Sequence, residues 1–538
     1  MDYREPISEP GLRRRDWWIA AVLGAVTIVQ LIATNPQIGL TWDEPIYTVA
    51  QQSYVGWFAQ LAAAPSAALS DAGIRNAWEV NHEHPPLAKL WNGVFWRLGH
   101  SWLDPLLAHR LGSMLLVGIL VALLYATVTP SYGRAAGLAA AASLLSMPRF
   151  FFHAHLAALD VPAAVSYVAV ITLFWHTRHV QGLRRSLAVG LLLALAWGGA
   201  LAFKINAAFA LPVLALWVVG AERRWDHVVR LAVMSLLGPL VFVALWPWLY
   251  HATTARLADY LLFLTSKHWE IPQWYFGANY MPPPWHFPFV MFVLVVPFTS
   301  LVCALLGVTR AWRQPRAGHP IALWLLAALA PLGSLTTGKS MVYDNERLFM
   351  ASFPYVAMLA GCGLTWALGM LQTRRLFVSA AITVAFLPQL ANAAMVYPHL
   401  LSYYSETVGG LPGARRLGME STYWCETYAE ALHYVNANAR PGAVVWVEGW
   451  SHDVLIWYQQ HGQLRPDLRI ALTPGAVSQL PNGDRSTVEA DRWEADYVLQ
   501  QYRQSGMDAD WTRFRDEHTP VASVSRQGVV LIEIFERR

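Results

Sequence analysis

Between Trp17 and Val396 one pattern recurs: apolar runs of roughly 17 to 22 residues separated by short polar turns. Runs of that length cross about 30 Å of hydrocarbon as helices. Helix is the only open-ended choice there, because lipid offers no partner to an unpaired strand edge. The pattern predicts eleven spans, at 17–34, 109–129, 135–150, 160–177, 187–203, 206–221, 229–249, 286–308, 320–336, 348–370 and 376–396. Composition agrees, since 14% of residues are charged and 55% are hydrophobic. A soluble chain would carry charge nearer 25%. The expectation is an all-α polytopic membrane protein with the lipid bilayer as its first partner, and nothing in the sequence points to nucleic acid.

Arg13, Arg14 and Arg15 precede the first run, and "ATNPQIGLTWDE" after it has no convincing small-x-small cleavage site, so the run reads as an anchor. Alternate turns then carry Arg134; Arg178, Arg184 and Arg185; Arg223, Arg224 and Arg230; Arg310, Arg313 and Arg316; and Arg374 with Arg375. Positive residues favour the cytoplasmic side. The opposite set of turns holds Asp43, Glu44, Glu79, Glu83, Asp104, Asp160, Asp259, Glu270, Asp344 and Glu346. This bias predicts a multi-pass protein of the inner (plasma) membrane with its acids on the extracytoplasmic side. The segment from His84 to His100, with Lys89 and Arg97, reads as an amphipathic helix lying along that interface. The loop 251–285, with "WEIPQWYFGANYMPPPW", reads as a segment resting on the membrane surface. Cys303, Cys362 and Cys425 do not make a disulfide framework.

After Val396 charge rises and membrane-length runs cease. "GAVVWVEGW", "LRIALTP" and "GVVLIEIFE" read as strands, and "YAEALHYVNAN" and "DVLIWYQQHG" as helices. The division is therefore a transmembrane domain over 1–396 and a small α/β domain over 397–538. An odd number of spans puts that second domain outside the cytoplasm.

Topology gathers polar residues that sequence separates. The first external loop supplies Asp43, Glu44, His82, Glu83, His84 and Lys89. Others bring Arg149, His153, His155 and Asp160; Lys204 and Asn206; Lys267, His268 and Glu270; and Lys339, Asp344, Glu346 and Arg347. An ionisable residue at membrane depth is by default a candidate for function. Asp160 is also an ordinary first-turn helix acid, and Arg347 could simply snorkel.

In "WDEPIYTVAQQSYVGWF" and "WEVNHEHPPLAKLW" the chain closely resembles the protein O-mannosyltransferases. There an Asp-Glu pair after the first span is followed, in the same loop, by His-Pro-Pro-Leu-x-Lys. Here these are Asp43-Glu44 and His84-Pro85-Pro86-Leu87-Ala88-Lys89. Wider relatives include the aminoarabinose transferases of lipid A. The resemblance implies the GT-C fold, a polyprenyl-phosphate sugar donor and an extracytoplasmic acceptor. It also implies that Asp43 is the catalytic base, with Glu44 orienting base or acceptor, and that Arg347 helps bind the lipid phosphate.

Lys339 and Lys204 are further candidates for the phosphate, and Asp160, His84 and Lys89 for substrate. The tail does not match the β-trefoil insert of the eukaryotic enzymes, so the acceptor is open among glycan, lipid and protein. Phosphate leaves well once its charge is balanced, so an inverting displacement needs one carboxylate base and no required cofactor. His82, Glu83 and His84 could accept a divalent metal, but none is assigned. A carboxylate beside Asp43 should raise its proton affinity. The alternative function is a transporter or flippase of lipid-linked sugars, which predicts mid-span charges and repeated broken helices. A non-catalytic scaffold would make the Asp-Glu pair dispensable.

Overall fold

The computed structural model describes residues 11–267, 270–313, 320–337, 342–370, 375–481 and 486–537. Each of the eleven apolar runs is helical. Among the described residues, five helices are long and apolar enough to cross a membrane: Arg14–Gln37, Pro105–Tyr132, Leu183–Phe203, Trp225–Ala244 and Ser352–Met370. The outward faces of these helices are apolar; Val22, Val26 and Val29 of the first are each more than half exposed. A surface of that kind is solvated by lipid rather than water. The protein is a multi-pass membrane protein.

One expected span needs correction. Residues 286–308 do not form a straight crossing: Phe287–Val295 and Phe298–Arg313 meet at 113°. Pro297 lies in the break, where its missing N–H and its ring prevent the helix from continuing. Counted as one bent span, the pair brings the long apolar crossings to six among the described residues. The runs at 134–145, 205–220 and 321–337 are shorter apolar helices. Arg316 and Arg374 lie outside the described residues.

Helix ends follow local chemistry. Asp104 caps Pro105–Tyr132 by accepting from the backbone N–H of Leu106 (3.0 Å) and Leu107 (3.1 Å). Gly133, at φ +87°, ends it. The bundle is tied by close crossings at small residues, as expected where lipid removes the hydrophobic drive between helices. A Cβ added at Gly363 would lie 1.8 Å from the carbonyl oxygen of Cys303.

Four α-helices lie between the first crossing and the second: Glu44–Ala63, Pro65–Ala68, Asp71–Trp78 and Leu87–Gly99. Glu44–Ala63 and Leu87–Gly99 pack together, and Gly93 brings the second against the backbone of Gln51. At 13 residues, Leu87–Gly99 is too short to cross a bilayer. Within the loop 251–285, β1 (Gln273–Tyr275) and β2 (Ala278–Tyr280) form an antiparallel ribbon. Phe276 (φ +48°) and Gly277 (φ +83°) make its two-residue turn, with the left-handed conformation such hairpins require. The ribbon docks on the C-terminal region: Gly277 N–H donates to Gly418 O at 2.8 Å.

That region holds a six-stranded sheet in the order β5-β4-β3-β6-β8-β7. The strands are β3 (Val444–Val447), β4 (Arg469–Leu472), β5 (Thr487–Glu489), β6 (Tyr497–Gln501), β7 (Ala522–Arg526) and β8 (Val529–Glu536). Strands β5, β4, β3 and β6 are parallel, β8 adds antiparallel to β6, and β7 adds antiparallel to β8. Helices Tyr428–Asn438 and His452–Gln460 pack against the sheet, so the small α/β fold is present. Between bundle and sheet, Leu400, Leu401, Tyr403, Tyr404, Leu411, Met419, Tyr423 and Trp424 all belong to the core of the helical bundle. The chain therefore runs back over the bundle before it forms the sheet.

Candidate active site

Residues 344–347 form the centre, and each is fixed by a different neighbour. Asp344 (φ +52°) and Asn345 (φ +56°) are both left-handed, a conformation that Asp and Asn tolerate better than other non-glycine residues. Asn345 is clamped by Gln273 of β1: its N–H donates to Gln273 Oε1 (3.0 Å), and Gln273 Nε2 donates to Asn345 Oδ1 (3.2 Å). Glu346, fully buried, accepts from Arg149 Nη1 at 2.5 Å and from Tyr423 O–H at 2.9 Å.

The Arg347 guanidinium reaches three carboxylates. Nη2 donates to Asp43, Nη1 to Asp344 at 2.6 Å and Nε to Asp160 at 3.3 Å. The indole of Trp424 lies 3.8 Å from its Cζ. Asp160, in the first turn of its helix, also pairs with Lys204 Nζ at 2.5 Å. Residues 43, 160, 204 and 347 thus converge from four separate segments. Asp43 forms part of the wall of a cavity of about 480 Å³, with His84, Glu83, Glu270, Glu448 and Arg503 among the other lining residues.

Asp43 and Glu44 point to different places. The Asp43 side chain is 25% exposed, while Glu44 is fully buried. Glu44 makes a bidentate pair with Arg110 (Nε 2.7 Å, Nη2 2.7 Å) and accepts from the N–H groups of Thr41 (3.0 Å) and Ala157 (2.9 Å). Its acceptor capacity is taken up by protein, so Glu44 offers no free oxygen to a substrate and holds the segment that carries Asp43. Burial pushes the Asp43 carboxyl above its ordinary value; Arg347 opposes this, and Asp344 and Asp160 reinforce it. The neighbouring acids that raise it are therefore these two, where the sequence suggested Glu44.

Lys89 is also given over to structure. It is fully buried and donates to Asn81 O (2.6 Å), Asn81 Oδ1 (2.8 Å) and His84 O (3.0 Å), closing the loop that carries His84. Burial lowers its ammonium to about 7. His82 packs against Trp248, away from His84. Among the described residues, no three His, Cys, Asp or Glu side chains are grouped to hold a metal ion. Lys339 and His268 lie outside the described residues.

Sequence reading did not single out Arg110, Trp424 or Arg503. A buried arginine in the first turns of an apolar run was the available signal for Arg110. Trp424 and Arg503 come from beyond the last span, and their sequence context gives no hint of the site.

Residues 83–251 match the family model described as dolichyl-phosphate-mannose-protein mannosyltransferase. By structure the chain is similar to ArnT of Cupriavidus metallidurans bound to undecaprenyl phosphate, at a TM-score of 0.53 and 15% identity, covering 97% of this chain and 98% of that one. The chain has the GT-C glycosyltransferase fold. The apo form of the same ArnT gives a TM-score of 0.52 at 16% identity, with the same coverage. Archaeal oligosaccharyltransferase AglB of Archaeoglobus fulgidus is similar at a TM-score of 0.47 and 12% identity, over 96% of this chain and 74% of that one. Compared with the curated proteins, the sequence finds no match. The GT-C likeness to ArnT runs through the bundle and the C-terminal sheet together.

Proposed function

We propose that the protein is an integral membrane glycosyltransferase that moves one monosaccharide from a polyprenyl-phosphate donor to an acceptor hydroxyl, with inversion at C1. The observation that carries this reading is the convergence of Asp43, Asp160 and Asp344 on Arg347 beside the cavity. The family match and the GT-C fold support it, and the undecaprenyl phosphate bound to ArnT supports a lipid-carried donor.

Arg347 pairs with Asp43. A donor phosphate entering the site competes for the same Nη2 edge, and an arginine fork suits it well. Releasing Asp43 then leaves a carboxylate whose proton affinity burial has raised, which suits a base. The acceptor oxygen attacks C1 and its proton passes to Asp43. The C1–O bond to phosphate breaks, and the phosphate leaves with the electron pair, its charge balanced by Arg347 and Lys204. Every part of this displacement is supplied by side chains, so no cofactor is assigned.

The arginine-rich turns support a cytoplasmic position for the opposite end of the bundle, and with it an extracytoplasmic cavity and C-terminal sheet at the inner (plasma) membrane. The acceptor class is left open among glycan, lipid and protein.

The test is mass spectrometry of reconstituted protein supplied with a panel of polyprenyl-phosphate sugars together with candidate glycan, lipid and protein acceptors. Wild type should release the polyprenyl phosphate from at least one donor, and Asp43→Asn should not. A folded wild type that consumes none of them would overturn the reading.

A further inference from the structure

The C-terminal sheet reaches into the acid cluster through one side chain. Arg503 follows β6, and its Nη2 donates to Asp344 Oδ1 at 3.0 Å while its Nε donates to Ser505 Oγ at 3.1 Å. Its guanidinium lies 4.8 Å from the ring of Trp42, the residue before Asp43. Asp344 is thus shared: Oδ1 takes Arg503, and Oδ2 takes Arg347. The charges alternate along one line, from Arg503 to Asp344 to Arg347 to Asp43.

We propose that Arg503 is a positioning residue for sugar transfer: by occupying one oxygen of Asp344, it keeps Arg347 turned towards Asp43 and the cavity. This rests on Asp43 being the base. Without Arg503, both oxygens of Asp344 become available to Arg347, and a bidentate pairing competes with the single bond to Asp43. Among the described residues, Asp344 would then be paired with Arg347 alone.

The groups facing Asp43 are Arg347, Asp344, Asp160, Tyr47 and Tyr343. Those facing Arg503 are Asp344, Glu420, Glu448 and Cys425. Burial raises Glu420 and Glu448 to about 7, with Arg503 opposing. Below that pH both are mostly neutral, and the contact to Asp344 Oδ1 is what holds Arg503.

The test compares wild type, Arg503→Met, Arg503→Lys and the control Arg440→Ala, whose arginine pairs with Asp496 and is largely exposed. Two readouts are taken: transfer rate against pH, and the Arg347–Asp43 separation by cryo-electron microscopy in lipid nanodiscs. In Arg503→Met the acid limb should move up by about one pH unit. The rate on that limb then falls about tenfold and recovers at high pH.

The Arg347–Asp43 contact should open in the same variant, Arg503→Lys should show a smaller shift in the same direction, and Arg440→Ala should follow wild type. An unmoved limb with the contact intact, or an equal loss at every pH, overturns the proposal. Should Arg503→Met fail to fold, an unmoved limb in Arg503→Lys overturns it alone. A wild type inactive on every donor defeats the functional reading, while the separation still decides the positioning.

Discussion

Between Asp43 and Glu44 the backbone passes from a turn into a helix, and two neighbouring carboxylates acquire separate tasks. Asp43→Asn keeps the shape and removes only the charge, so the protein should purify with an unchanged melting temperature. Its transfer rate should fall by about 10²- to 10⁴-fold, the usual worth of a positioned base. Glu44→Gln should do the reverse. It leaves Arg110 buried with no carboxylate, a loss of about 3–5 kcal/mol that thermal unfolding in detergent would register. If the two variants behaved alike, the separation of catalytic and structural acid would be wrong. The pH dependence has a definite sign as well. A base must be ionised, and burial holds the Asp43 carboxyl above the ordinary aspartate value near 4. Transfer should therefore be lost as pH falls through a midpoint above 4, as a rate profile would show.

Single elements show what the sequence could and could not convey. Lipid forces apolar length into every crossing, so the helices were legible as runs. The turn of 113° inside residues 286–308 was not, because one proline marks a break without giving its angle. The strands β3, β4 and β8 announce themselves by apolar residues, whereas β6 reads "YVLQQ" and is buried throughout. Gln501 is satisfied by tertiary partners: it accepts from Cys425 N–H (3.2 Å) and donates to Thr427 Oγ1 (2.9 Å).

Asp43 and Arg347 could be placed on one face from charge bias alone. That Asp344 links them to Arg503 needed coordinates. Packing offers an independent check at this scale. Gly363→Ala should destabilise the crossing by about 1–3 kcal/mol, since the added methyl meets the Cys303 carbonyl rather than a flexible side chain. An exposed glycine such as Gly56, with nothing near its added Cβ, is the matched control.

At the scale of the whole molecule, bundle and C-terminal region share a core and a site. Residues just beyond Val396 are built into the bundle core. Tyr403, Tyr404, Tyr423 and Trp424 are fully buried in the bundle core, Arg149 donates to Tyr403 O at 2.9 Å, and Tyr423 bonds Glu346. A chain ending at Val396 would expose this apolar surface and leave Arg149 and Glu346 short of partners, so it should aggregate on extraction from the membrane. A chain ending after Asn438 keeps those residues but loses β3 to β8 and Arg503. It should fold less stably, and if it reaches a folded state its acid limb should move up as in Arg503→Met. Size-exclusion chromatography of both truncations, with the pH profile of any monodisperse one, decides between them. A well-behaved, active chain ending at Val396 would mean that the C-terminal region is an appendage and that the cavity is complete without it.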